Sequence, residues 1–201
     1  MSKTLFGGLD EVGYGALAGP FVSVVAVFSE KDLKFLPGTV TDSKKLSPST
    51  RETLYDAIMA AASDIGIGHA WPWEIDSQGV FTSLQLSYTR AIEDLTIKPT
   101  TLYVDGQHNV RTWRGPQIVE PKADLNYRWV SAASIVAKVW RDRLMKELAR
   151  MHPKYGWDNN SGYGTPEHES TIKQHGLVIG SENNSTNYVH RKRYCRKFLI
   201  K

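Results

Sequence analysis

The stretch that decides the fold is Gly8–Phe28, GLDEVGYGALAGPFVSVVAVF. Residues on both sides of its glycine-rich centre are rich in β-branched and aromatic types, so the stretch predicts two adjacent strands joined by a glycine turn. Two carboxylates, Asp10 and Glu11, stand where the first predicted strand ends. Their position needs an explanation, because the burial of unpaired charge in a folded protein costs several kcal/mol.

The rest of the chain alternates strand-like and helix-like segments. Ser47 can cap a helix that begins at Pro48, and apolar residues recur along one face of that helix. A strand-like IGIGHAW follows, and after it a segment with helical spacing that ends near Pro99. Two short strand-like segments, TTLYVDG and PQIVE, precede a long helix from Trp129 to about Met151. Strands mixed with helices indicate an α/β layered sheet, whereas the glycine- and asparagine-rich chain that follows gives no clear elements.

The composition indicates one soluble domain. With 201 residues, 41% of them hydrophobic, the chain has the size of a single domain and can build a core. The single cysteine, Cys195, cannot form an internal disulfide, and no apolar run approaches the roughly 18 residues that a membrane span needs. We therefore expect one domain over residues 1–201, acting as a cytoplasmic monomer with no membrane partner.

Positive charge is concentrated at the C-terminal end of the chain. The 25 Lys and Arg residues exceed the 21 Asp and Glu residues by only four, yet a basic segment at about 186–201 ends in HRKRYCRKFLIK. Basic residues interleaved with aromatic ones are compatible with binding to a phosphate backbone. A solvated basic tail explains the same segment equally well.

Four acidic residues stand at or near predicted strand ends: Asp10, Glu11, Asp105 and Asp124. A sheet brings residues at its strand ends into a shared site. Oxygen ligands without a His or Cys cluster favour Mg²⁺ or Mn²⁺ over zinc, and two such ions about 4 Å apart can hydrolyse a phosphodiester. Each acid taken alone is better explained as a turn or capping residue.

Five ordered motifs carry a family resemblance. GLDEVGYGALAGP resembles the opening signature of ribonuclease HII, the type 2 ribonuclease H of bacteria and archaea. Later motifs of that family resemble, in the same order, TDSKKLS at 41–47, YVDG at 103–106, KADLNYRWVSAASIVAKVWRDRLM at 122–145 and GYGTPEH at 162–168. The resemblance implies an α/β fold with a ribonuclease H-like mixed sheet flanked by helices and an extra C-terminal helical segment.

The resemblance also implies an activity. It predicts a metal-dependent endonuclease that cleaves RNA in RNA/DNA hybrids, or ribonucleotides embedded in duplex DNA, and leaves 3′-hydroxyl and 5′-phosphate ends. Matched position by position, Asp10, Glu11, Asp105 and Asp124 correspond to the family's metal-binding acids, which implies two Mg²⁺ or Mn²⁺ ions. Asp142 is a further acid that could lie near this site, although a surface charge that pairs with Arg141 or Lys146 is the simpler explanation.

Other matched positions imply substrate contacts. Gly13 and Gly15 lack a Cβ and let the backbone approach a sugar, and in the family this turn reads the ribose 2′-hydroxyl. Tyr163 matches the family tyrosine that stacks on the sugar next to the cut; a core tyrosine is the usual alternative. Lys44 and Lys45 fit phosphate contacts, although paired lysines at a helix start are often merely solvated.

Three motifs depart from the family pattern. Tyr14 replaces the arginine of the family's G-R-G turn, so this substrate-binding turn reads GYG, and Ser161 replaces a lysine before the second GYG. The usual HRxSF ending is replaced by HRKRYCRKF. The changed turn keeps a second hypothesis open, an RNA/DNA hybrid-binding protein with weakened or altered catalysis. A related nuclease of the same fold that acts on DNA junctions is a third.

Overall fold

The computed structural model describes residues 4–40, 46–179 and 188–199. Lys44 and Lys45 lie outside these residues, so their predicted phosphate contacts have no structural account. The contacts group the chain into two compact units: Met1–Val12, Val22–His69 and Gln85–Val139 in the first, and Gly13–Phe21, Ala70–Leu84 and Trp140–Lys201 in the second. The expectation of one domain over residues 1–201 stays a prediction.

A mixed five-stranded sheet forms the centre of the first unit. Its strands are β1 (Leu5–Val12), β2 (Phe21–Ser29), β3 (Asp64–Ala70), β4 (Thr101–Asp105) and β5 (Gln117–Glu120). Their order in the sheet is β3-β2-β1-β4-β5. Strand β1 pairs antiparallel with β2 and parallel with β4, and β4 pairs parallel with β5. The predicted first hairpin and the mixed sheet are therefore confirmed.

The structure contains the helices that the sequence predicts, in the predicted order, and further short helices that it does not predict. The described residues form α1 (Pro48–Ala61), α2 (Pro72–Gln78), α3 (Val80–Asp94), α4 (Arg128–Met151), α5 (Trp157–Asn160), α6 (Pro166–His175) and α7 (Lys192–Leu199). The start of α1 confirms its predicted cap, because the Ser47 hydroxyl accepts a hydrogen bond from the Thr50 amide at 3.1 Å. Among the described helices, none combines the length and hydrophobicity that a membrane span requires.

The sheet of the first unit is covered on both faces, which explains why β2 is buried along its whole length. On one face, Val24, Ala26 and Phe28 pack against residues of α1 and α4. On the other face, α3 lies so close to β3 that a Cβ at Gly68 would sit 2.1 Å from the carbonyl oxygen of Ser87. Glycine at this position permits the close packing of helix on strand.

The second unit has a core of its own, built mainly from the second half of α4 and the C-terminal helices. Trp157, Met145 and Cys195 are fully buried in it. The carboxylate of Asp76, on α2, accepts hydrogen bonds from the Lys192 and Arg193 amides at 2.7 and 2.9 Å and so caps the first turn of α7. Within the described part of the basic segment, Lys192–Leu199 thus form a capped helix, and the predicted C-terminal helical segment is confirmed.

Candidate active site

The register of the sheet brings Asp10 and Asp105 together. Strands β1 and β4 run parallel with Leu9 opposite Val104, and the next residue on each strand is an aspartate. Asp10 is 8% exposed. Burial, followed by the Glu11 carboxylate and with a smaller contribution from Asp105, raises the pKa of Asp10 well above its usual value. The first strand extends to Val12, so the acid pair precedes its end rather than closing it.

Helix α4 reaches Asp10 because Gly8 lies on the same face of β1. A Cβ at Gly8 would sit 2.3 Å from the Trp129 carbonyl oxygen and 2.5 Å from the Val130 nitrogen, so only glycine permits this contact. Two residues along a strand advance about 6.6 Å and four along a helix about 6 Å. Asp10 lies two residues beyond Gly8 on β1, and Ser134 lies four residues beyond Val130 on α4, so the two residues lie at about the same level. The Ser134 side chain hydrogen-bonds the Asp10 carboxylate.

Glu11 points to the opposite face of β1, since side chains alternate along a strand. There the Tyr88 hydroxyl, on α3, donates a hydrogen bond to Glu11 Oε2 at 2.7 Å. Tyr88 is 2% exposed, and burial together with the Glu11 carboxylate raises the pKa of its hydroxyl. Glu11 is therefore held by a neutral donor rather than left to rotate freely.

Asp124 lies in a 3₁₀ turn, Ala123–Leu125, between β5 and α4. The Ala123 amide donates a hydrogen bond to Asp105 Oδ1 at 2.9 Å, and the Ser131 hydroxyl donates to the Asp124 carbonyl oxygen. The turn is thus tied to Asp105 at one end and to α4 at the other. Asp124 therefore directly follows Ala123, the residue whose amide binds the Asp105 carboxylate.

The donor set of these acids fits a hard divalent cation. Asp10 is buried, and burial together with repulsion from the Glu11 and Asp105 carboxylates raises its pKa. Mg²⁺ and Mn²⁺ prefer oxygen ligands of this kind and would relieve the repulsion. Within residues 4–40, 46–179 and 188–199, no three His, Cys, Asp or Glu side chains already form a metal-ligand group. The fit therefore rests on the chemistry of the carboxylates.

The GYG turn belongs to the second unit. Gly13 has φ 93°, and a Cβ there would lie 2.5 Å from Arg141 Nε, so this position requires glycine. Gly15 is exposed, and a Cβ on it would meet no described atom within 4 Å. The Tyr14 ring is 51% exposed and stacks on Phe21 with ring centroids 5.7 Å apart. The turn thus combines one tightly packed glycine with one open glycine.

Arg141 connects the turn with Tyr163 inside the second unit. Its side chain is fully buried. Its three guanidinium nitrogens donate hydrogen bonds to the carbonyl oxygens of Pro20, Ala18 and Ser161 at 3.0, 2.9 and 2.8 Å. The guanidinium carbon also lies 5.3 Å from the centre of the half-buried Tyr163 ring. Two predicted substrate contacts, the turn and Tyr163, therefore share one buried cation.

Asp142 accepts a hydrogen bond from the Ser161 hydroxyl at 3.0 Å, and its charge acts to raise the pKa of Arg141 against the lowering effect of burial. The pairing with Arg141 that the sequence suggested is thus present as an electrostatic interaction. A contribution of Asp142 to metal binding stays a prediction.

Sequence reasoning missed the supporting roles of four residues at these positions. Ser134 carried a weak signal, as a polar residue in the apolar half of α4, and Arg141 carried another, as an arginine at a core position. Tyr88 gave none, because its helical spacing is that of an ordinary core residue. Arg191 gave no separate signal either, because it lies within a basic run.

The mixed five-stranded sheet with its flanking helices is a fold of the ribonuclease H-like class. The family model for ribonuclease HII matches residues 7–197, and the chain belongs to this family. A ribonuclease HII of Prochlorococcus marinus (strain MIT 9215) is 43% identical over 94% of this chain and 89% of the relative. A ribonuclease HII of Thermotoga maritima is also 43% identical, over 85% of this chain and 68% of the relative. The chain is thus a ribonuclease H, an endonuclease that hydrolyses phosphodiester bonds.

Solved structures show the same fold. The ribonuclease H2 of Pyrococcus horikoshii OT3 matches with a TM-score of 0.79 and 31% identity over 97% of each chain. The ribonuclease HII of Archaeoglobus fulgidus, solved in a complex with PCNA, matches with 0.74 and 28% over 98% of this chain and 97% of the other. The Mn²⁺ complex of Bst-RNase HIII, at 0.69 and 17%, covers 98% of this chain and 70% of the other and shows likeness of fold alone.

Proposed function

We propose that this ribonuclease cleaves RNA in RNA/DNA hybrids, or ribonucleotides embedded in duplex DNA, by two-metal-ion hydrolysis that leaves 3′-hydroxyl and 5′-phosphate ends. The observation that carries the proposal is the burial of Asp10 beside the Glu11 and Asp105 carboxylates. A protein that only bound nucleic acid would gain nothing from acids that repel one another in a buried place.

Asp10, Glu11, Asp105 and Asp124 are the residues that would hold two Mg²⁺ or Mn²⁺ ions. Bound ions of this kind lower the pKa of an attacking water and neutralise charge on the scissile phosphate. The protein's own contribution is orientation. The Ser134 hydrogen bond restricts Asp10, and the Tyr88 hydroxyl restricts Glu11, so that each carboxylate is held before a ligand arrives.

The GYG turn and Tyr163 are the proposed sugar contacts. Gly15 leaves open space where a ribose can approach the backbone, and its N–H can donate a hydrogen bond to the 2′-hydroxyl that distinguishes RNA from DNA. Tyr14 supplies one hydroxyl and an aromatic face where the family pattern has an arginine, so the turn holds a phosphate less tightly. Lys44, Lys45 and the exposed basic residues of α7 would bind phosphates.

The partners follow from this activity. We propose a hybrid or a ribonucleotide-containing duplex as the bound nucleic acid, and a monomer that acts in the cytoplasm.

The decisive experiment is cleavage of end-labelled duplexes that contain one, four or all ribonucleotides in one strand, with Mg²⁺ and with Mn²⁺. An all-DNA duplex is the matched control. We expect cuts only at ribonucleotides, with products whose 3′ ends a polymerase extends directly, since it needs a free 3′-hydroxyl. Binding without any cleavage would instead support the hypothesis of a hybrid-binding protein with altered catalysis.

A further inference from the structure

The carbonyl oxygen of Tyr14 is bound from two sides by the C-terminal segment. Arg191 Nη1 donates to it at 3.2 Å and the Tyr194 hydroxyl donates to it at 3.1 Å. Arg191 Nε donates in addition to the Gly19 carbonyl oxygen at 2.9 Å. Two side chains from one short segment therefore hold both ends of the loop that contains the GYG turn.

Arg191 is unusual because it is a fully buried cation. Its guanidinium lies 4.4 Å from the centre of the Phe21 ring and 5.4 Å from that of Tyr194. Nη2 has no hydrogen-bond partner among the described residues. Burial and the charge of Arg141 lower the pKa of Arg191. A buried charge with an unused donor is poor evidence for stability, so another role accounts better for its place beside the turn.

Because the peptide unit is planar, the two hydrogen bonds to the Tyr14 carbonyl oxygen also orient the N–H of Gly15. The carbonyl oxygen of Tyr14 and the N–H of Gly15 belong to one peptide unit, which is trans, so the two groups point in opposite directions within one plane. Donors that fix the oxygen therefore also fix the direction of the N–H on the opposite side of the peptide unit. Gly15 is exposed, and none of the described residues accepts a hydrogen bond from its N–H.

The segment that carries Arg191 and Tyr194 is itself held in place by Asp76. Asp76 binds the amides of Lys192 and Arg193, the two residues between Arg191 and Tyr194, and it also accepts a hydrogen bond from the Tyr188 hydroxyl at 3.1 Å. The first turn of α7 therefore has a defined position within the second unit, and the two donors keep their spacing.

We propose that Arg191 and Tyr194 are positioning residues that act through the carbonyl oxygen of Tyr14 and direct the Gly15 N–H toward the ribose 2′-hydroxyl. This inference rests on the proposed function of the GYG turn. It assigns ribonucleotide selectivity partly to two side chains that do not touch the substrate.

The test is Tyr194→Phe, which removes one hydroxyl and keeps the ring. The readout is the selectivity ratio, defined as the Kd for an all-DNA duplex divided by the Kd for the same duplex with one ribonucleotide, both measured by fluorescence anisotropy in EDTA. Phosphate contacts cancel in this ratio. Loss of one hydrogen bond should lower the ratio about threefold to tenfold, with the Kd for all-DNA duplex unchanged.

Tyr155→Phe is the matched control. The Tyr155 hydroxyl donates to the Gly176 carbonyl oxygen at 3.1 Å, the same bond at the same length within the same unit. This control should leave the ratio unchanged even if both variants unfold at a lower temperature. Arg191→Lys, which keeps the charge but loses the two-pronged geometry, should lower the ratio further; if it does not fold, Tyr194→Phe carries the test.

The outcomes separate the inference from the function on which it rests. A wild-type protein that selects ribonucleotides, together with a Tyr194→Phe variant of equal ratio, would refute the positioning role alone. An equal fall in Tyr155→Phe and Tyr194→Phe would also refute it, because general loosening would then explain the effect. A wild-type protein with a ratio of one and no cleavage would overturn the proposed function and this inference together.

Discussion

Asp10→Asn should separate catalysis from folding and from nucleic-acid binding. The substitution removes one carboxylate charge and preserves the volume of the side chain. Because Asp10 is buried beside Glu11 and Asp105, we expect three results: loss of cleavage, loss of metal-induced stabilisation, and higher stability of the metal-free protein. Hybrid binding should persist, since most of its affinity comes from basic contacts with phosphates.

The magnitude follows from the charges that surround Asp10. Two carboxylates about 5 Å apart repel one another by about 3 kcal/mol at an effective dielectric constant of about 20. Burial adds to this cost, while the hydrogen bond from Ser134 offsets part of it. The metal-free variant should therefore gain about 1–3 kcal/mol in free energy of unfolding at neutral pH, as expected where a functional site is kept at the expense of stability.

Chemical denaturation with and without Mn²⁺ measures both effects. Wild-type protein should gain about 2.7 kcal/mol at a metal concentration one hundred times the Kd, and Asp10→Asn should gain little. Asp158→Asn is the matched control, because it makes the same change at an exposed acid and should alter stability by less than about 0.5 kcal/mol. If Asp10→Asn cuts a hybrid within tenfold of the wild-type rate, or retains the full Mn²⁺ stabilisation, the acids do not form the metal site.

Three further predictions test the surroundings of the two sites. Tyr88→Phe should weaken Mn²⁺ binding, measured by calorimetry, about tenfold because Glu11 loses the donor that orients it; unchanged affinity would contradict this role. Gly15→Ala should keep wild-type stability and reduce ribonucleotide selectivity. Gly8→Ala should lower the free energy of unfolding by about 1–3 kcal/mol, because its Cβ would clash with α4. Equal melting temperatures of the two variants would be inconsistent with the structure. Burial lowers the pKa of His190 to about 3 in the folded protein, whereas a histidine in the unfolded chain has a pKa of about 6.5. Below about pH 6.5 the unfolded chain therefore binds a proton that the folded protein does not, and the free energy of unfolding falls by about 2 kcal/mol from pH 7 to pH 5. In urea unfolding, His190→Asn should lose about 2 kcal/mol less than wild type over the same pH range.

Local signals explain which elements the sequence predicted. The β1–β2 hairpin and the start of α1 depend on neighbouring residues, such as the Ser47 cap, and both are confirmed. The helical spacing of apolar residues from Phe81 to Leu95 predicts α3, which is confirmed. The short helix α2, which Gly79 with φ 88° ends and separates from α3, was not predicted. Beyond α4 the helices are short and depend on a shared core of Trp157 and Cys195, which no local pattern encodes.

In the candidate site, too, some residues were predictable from the sequence and others were not. The acids were predicted from their places near strand ends together with the family motifs that contain them, and the parallel register of β1 and β4 brings Asp10 and Asp105 together as expected. The groups that hold them were not predictable, because Ser134 and Tyr88 reach the site only through the packing of two helices on opposite faces of one strand. The packing of α4 on β1 depends on Gly8, which in the sequence is one of 16 glycines.

Three buried ionisable groups share one property. Burial shifts the pKa of Asp10 upward and those of Arg141 and Arg191 downward, so in each case the protein environment disfavours the charged form. Stability alone does not account for such groups, since apolar residues of similar volume are often at least as stabilising. Asp10 lies among the proposed metal ligands, and each arginine binds backbone carbonyls of the loop that contains the GYG turn. The costly charges of this chain therefore coincide with the groups that must be held in place for metal binding and for recognition of the sugar.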